Sequence, residues 1–149
     1  MGRMYTLVQE IASFSTAGDI IQIVNASSKV TQIHSVSITQ SSSEVDDSTR
    51  LAISKFATAG SGGASRTPNK QQAGDSAYAG TVLEANSVAA SSTETPIWGE
   101  GISLLAGFQK IWTPGPMPVL APSEIFVVKT LDTISAVDLV YALEFEEIG

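Results

Sequence analysis

The chain has 149 residues, a formal net charge of −7 and no cysteine. Only 15% of its residues are charged, against about 25% in an average domain, so 20 serines and 13 threonines must supply much of the surface polarity. This excludes disulfide scaffolds, thiolate metal sites and cysteine nucleophiles. It also argues against phosphate-backbone binding, which needs Lys and Arg in numbers, and against membrane spans of roughly 20 apolar residues.

The length fits one domain, 1–149, that buries about two-thirds of its unfolded surface. Residues 1–74 hold six basic and five acidic side chains (+1), whereas residues 75–149 hold two basic and ten acidic (−8). If folding separates these halves, one face is nearly neutral and another strongly acidic. The 13 isoleucines and 12 valines favour a pleated sheet.

The N-terminus, MGRMYTLVQEI, lacks the long apolar stretch of a secretory signal. Gly2 and Thr6 fit the myristoylation spacing, but no polybasic patch accompanies them, and synthesis in a reducing cytosol is expected. Residues 1–5 are read as an N-terminal arm. Within the first strand, Met4–Ile11, Tyr5, Leu7 and Ile11 oppose Thr6 and Glu10, with Val8 out of phase. Further strands are expected at Asp19–Asn25, Lys29–Gln40 and Thr49–Thr58.

Ala57–Ala79 follows, with four glycines, one proline and almost no large apolar residue. Loops longer than about 12–15 residues are often functional or disordered, and residues 59–77 are expected to be a flexible inserted loop that orders on a neighbouring subunit. Strands resume at Gly80–Asn86, Pro96–Leu105 and Phe108–Trp112. The stretch TPGPMPVLAP (113–122) holds four of the six prolines and reads as a stiff connection or an edge. Glu124–Leu131 and Ala136–Glu146 complete the series. In the last, Val137, Leu139, Tyr141, Leu143 and Phe145 share one face. No window shows a helical stripe. Eight or nine short strands indicate an all-β antiparallel sandwich, of the jelly-roll or the immunoglobulin-like kind.

A search for chemistry finds no reaction centre. His34 is the only imidazole and lies mid-strand, as a structural histidine does. GSGG at 60–63 lacks the Lys-Ser/Thr of a phosphate loop. Asp46 and Asp47 sit in SSSEVDDST, where Asp and Ser cap turns. Glu144 and Glu146 project to one face, toward solvent. No metal or cofactor is expected: a cupin-type metal site would need several His on strands, and for Ca²⁺ at either carboxylate cluster no spaced loop such as D-x-D-x-D-G is present. Trp98, Trp112, Tyr78 and Phe108 could form a sugar-binding platform, although aromatic residues serve packing first. A neutral Ser/Thr surface with a long loop suits packing against other protein subunits.

The segments MYTLVQEIASFSTAGDIIQIVNAS, IHSVSITQSSSEVDD, AGDSAYAGTVLEAN, PVLAPSEIFVVKTL and YALEFEEIG span nearly the whole chain. Together they resemble small virion proteins of tailed bacteriophages and prophages, of the capsid cement or decoration class. The resemblance implies a small β-rich domain, often a jelly roll, made in the bacterial cytoplasm. It would sit as a homotrimer on the outer capsid surface and brace joints between capsomers of the major capsid protein. It implies no enzyme activity, nucleic-acid partner or membrane partner. The expected contacts to capsid or neighbouring subunits are Arg3, Met4, Tyr5, Arg66 and Lys70, with the acidic second half facing solvent or a trimer rim. The alternative is a head-fibre or tail-associated module that grips host glycan.

Overall fold

A computed structural model describes residues 2–41, 46–112 and 115–149. Met1 of the expected arm, residues 42–45 of the Ser-rich turn, and Thr113 and Pro114 of the proline-rich stretch lie outside the described residues. The described residues form β1 (Arg3–Phe14), β2 (Gly18–Val24), β3 (Val30–Gln40), β4 (Ser48–Phe56), β5 (Ala64–Arg66), β6 (Asn69–Lys70), β7 (Thr81–Glu84), β8 (Thr95–Ser103), β9 (Phe108–Ile111), β10 (Val119–Leu120), β11 (Ile125–Thr130) and β12 (Val137–Ile148). The chain is all-β, with two antiparallel six-stranded sheets facing each other as a sandwich. Sheet I runs β10-β3-β12-β1-β6, with β9 also on β3; sheet II runs β5-β7-β2-β11-β4-β8.

Strict alternation makes β12 the centre of sheet I. It pairs with β1 from Arg3↔Glu147 to Phe14↔Val137 and with β3 on its other side. Its odd-numbered residues point into the core, and Leu143 and Phe145 are fully buried. In β1 the same alternation buries Tyr5, Leu7 and Ile11 and turns Val8 outward, 58% exposed. Val8 is thus an apolar residue in the outward phase that it shares with Thr6 and Glu10. A register shift after Ile11, with Ser13 at φ 53°, returns Phe14 to the core. A bulge of this kind adds one residue and re-aims the side chains that follow.

In sheet II, β2, β11 and β4 lack alternation because both their faces are covered, whereas the edge strand β8 is exposed along most of its length. Ile21, Ile23, Phe126, Val128, Leu51 and Ile53 belong to the core shared with sheet I. On the opposite face, Phe56, Ile125 and Val127 pack with Ala90 and Val24 in a second cluster. The cover is the chain between β4 and β8. Its two ends pair with each other at Thr58↔Ser91 and Ser61↔Val88 and lie across the outside of sheet II.

The intervening residues correct two expectations. Residues 59–77 do not project as a loop without structure. They carry β5, which extends sheet II beside β7, and β6, which extends sheet I beside β1. The segment thus crosses from one sheet to the other and closes one side of the sandwich. Nor do the described residues of the expected arm stand free: Arg3, Met4 and Tyr5 belong to β1 and pair with β12.

Candidate contact surface

Of the five residues expected at a contact, the structure turns most toward the protein itself. Arg3 Nη1 lies 3.3 Å from Glu147 Oε1. Glu147 is buried, and its other oxygen accepts the Ala79 N–H at 3.0 Å. Tyr5 is fully buried and cannot meet a partner. Its hydroxyl donates to Ser76 O at 3.0 Å, and its ring centroid is 5.5 Å from those of Tyr78 and Phe145. Burial, then the Glu147 charge, pushes the Tyr5 hydroxyl pKa up.

Arg66 donates through Nη2 to Glu84 Oε1, and Tyr141 donates to Glu84 Oε2 at 2.8 Å. Glu84 and Tyr141 are buried, so Arg66 neutralises an interior carboxylate. Lys70 Nζ donates to Asp75 O at 2.8 Å and tightens its own loop. Arg3, Met4, Tyr5 and Lys70 meet where β1 joins β6, while Arg66 stands on sheet II. Met4 alone turns its side chain to the outside of sheet I, opposite Glu146.

Among the described residues that outside is a sheet face left uncovered, and so the candidate contact surface. Pairing places Thr6, Glu144, Ser35 and Ile111 in one row across β1, β12, β3 and β9. Val8, Ala142, Ser37 and Gln109 form the next. A shallow recess of 290 Å³ between them is lined by Met4, Thr6, Val8, Ser35, Ser37 and Ile111 among others. Val8 is 58% and Ile111 53% exposed. Sequence reading did not single out this face. Its signal was present in the outward residues of three alternating strands, but strand neighbours had to be known to assemble it.

The other candidates fall into structural roles. His34 is half-buried, with Nε2 3.5 Å from Glu146 Oε2. Asp47 accepts the N–H groups of Ser48 and Ser135, each at 2.9 Å, which holds its carboxyl below the ordinary range. The four aromatic residues do not form one platform. Tyr78 packs with Tyr5 and Phe145, whereas Trp98 packs on Phe108 with a centroid separation of 4.7 Å. Lys110 Nζ lies 5.8 Å from the Trp98 ring centroid. Among the described residues, no three His, Asp or Glu side chains gather as metal ligands.

Sequence reading missed the polar groups that hold the cover on sheet II. Gln22 and Gly60 bond reciprocally: Gly60 N–H donates to Gln22 Oε1 at 2.6 Å and Gln22 Nε2 donates to Gly60 O at 3.3 Å. Asp19 Oδ2 accepts from Ala90 N–H at 2.7 Å and from Asn86 Nδ2 at 3.2 Å.

No protein-family model and no curated protein matches the chain. Among solved structures it is similar to the structure of infectious bursal disease virus, Gx strain, at 12% identity and a TM-score of 0.21. The match covers 99% of this chain and 41% of that one, so the chain spans about two-fifths of its neighbour's length. At that TM-score the likeness carries no argument.

Proposed function

We propose that the protein is a structural virion protein. It is a capsid cement or decoration protein that binds as a trimer on the outer surface of a tailed-phage head and braces the junctions between major capsid protein capsomers. The observation that carries this reading is the asymmetry of the sandwich. The cover closes the outside of sheet II over β2, β11 and β4, while among the described residues the outside of sheet I stays open, with carboxylates and hydroxyls at its centre and exposed Val8 and Ile111 on its outer strands.

The strand order supports it. Without β10 and the strands of the inserted segment, β5, β6 and β7, the sheets read β9-β3-β12-β1 and β2-β11-β4-β8. We read this exchange of strands as a jelly roll whose inserted segment lies between its fourth and fifth strands. A close-packed sandwich resists shear, as a brace on a shell under outward DNA pressure must, and many copies on one shell add avidity.

The test is the mass of the purified protein in solution beside its copy number in purified virions. A threefold species and a ratio near one copy per major capsid subunit are expected. A monomer absent from virions would overturn the reading.

A further inference from the structure

The open face of sheet I carries charge of one sign. Register and alternation place Glu10, Glu144 and Glu146 on it, and Asp138 lies at its end, where it accepts the Ser13 N–H. Among the described residues each Lys and Arg has its head group engaged by another group. Arg3 reaches Glu147, Arg66 reaches Glu84, Arg50 reaches Asp132, Lys55 reaches Glu124 and Lys129 reaches Glu94. Lys29 and Lys70 donate to backbone carbonyls, and Lys110 stands over Trp98. His34 is the one imidazole on this face, and it is set against Glu146.

Two copies meeting through this face would oppose two sets of carboxylates with no cation between them, and like charges directly opposed are destabilising. A nucleic acid would be repelled for the same reason. β1 and β12 with 12 residues each, β3 with 11 and β9 with 4, at about 3.3 Å per residue and about 4.8 Å between strands, give roughly 600 Å² in projection. Side-chain relief brings that toward the roughly 800 Å² per partner of a standard interface.

We propose that the outer face of sheet I docks a different protein, through a surface that sets Lys or Arg against the central carboxylates and apolar side chains against Met4 and Val8 on β1 and Ile111 on β9. This deepens the cement reading by naming the chemistry of the capsid surface. It shares the premise that sheet I meets a partner, yet it is testable without a capsid. Any trimer contact must then use another part of the molecule.

The probe is a capped peptide of alternating Lys and Leu, titrated into the ¹⁵N-labelled full chain beside a Glu–Leu control. Amide shifts are expected at Val8, Ser35, Ser37 and Ile111 with the Lys–Leu peptide only. Binding should fall at least tenfold in the E10K/E144K variant, whose substitutions are on exposed positions, and again on raising salt from about 20 to about 300 mM. The proposal is overturned if shifts fall elsewhere or are absent, or if the variant binds as tightly as the original. It is equally overturned if sedimentation shows copies joined through this face, separating on Val8→Asp. A negative copy-number result in virions would sink the cement reading and leave this binding result standing.

Discussion

Tyr78 shows how a residue in a loop-like stretch can be a core residue. It sits in AGDSAYAG, among glycines and small polar residues, yet it is 9% exposed and stacks edge-on to Tyr5 and Phe145. Its hydroxyl lies 3.4 Å from Thr31 Oγ1. Burial, with a smaller contribution from the Glu147 charge, pushes its pKa up to about 12. The folded protein therefore holds this phenol neutral while the unfolded chain ionises it near pH 10. Its contribution to stability is complete below about pH 10 and is lost as pH rises toward 12. Tyr5 and Tyr141 are shifted in the same direction. Chemical denaturation of Tyr78→Phe from pH 9 to 12 should show a shallower alkaline decline. The difference approaches about 1.4 kcal/mol per pH unit. An unchanged slope would mean that Tyr78 titrates as if exposed. The sequence gives no local sign of this burial, because the chain must first bridge the two sheets before Tyr78 reaches Phe145. Glu147 differs: the odd-numbered alternation of β12, followed two residues past Phe145, already assigns it to the core.

At the scale of elements, the nine longer strands were legible because period-two alternation or a short β-branched run survives in each. The three short ones, β5, β6 and β10, span two or three residues, too few for any period. The composition of residues 57–79 does report something, though not freedom to move. Its glycines mark where backbone meets backbone. A Cβ on Gly60 would stand 2.4 Å from Val88 O and 2.8 Å from Ala90 N, both in the opposing end of the cover, whereas a Cβ on Gly74 meets nothing within 4 Å. Gly60→Ala should therefore force the two ends of the cover apart and cost about 1–3 kcal/mol. That corresponds to a melting point lower by about 2–10 °C. Gly74→Ala should stay within about 0.5 kcal/mol. Calorimetry of the pair decides it: equal melting points would mean the cover does not pack as described. The both-sides burial of β2, hinted at by IIQIV with only Gln22 polar, could have shown that something must lie over sheet II, but not which segment.

For the whole molecule, the governing fact is that the first long strand pairs with the last. Arg3 lies opposite Glu147, and β12 separates β1 from β3, so sheet I cannot assemble until the final residues are present. Pairing of such distant segments makes folding slow, on the order of milliseconds to seconds. It also brings the two ends of the chain side by side. A short Gly/Ser link from 149 to 2 should then be tolerated, provided the new ends open where backbone is exposed and lightly bonded. Gly74 meets that condition; Gly60, held by Gln22 under the cover, does not. A circular permutant opened at Gly74 should unfold cooperatively within a few degrees of the parent and keep the acidic face of sheet I intact. One opened at Gly60 should lose the cover and expose Phe56, Ile125 and Val127 to a hydrophobic dye. If both permutants melt alike, the cover contributes nothing to stability. The asymmetry between the two outer faces would then come from strand chemistry alone.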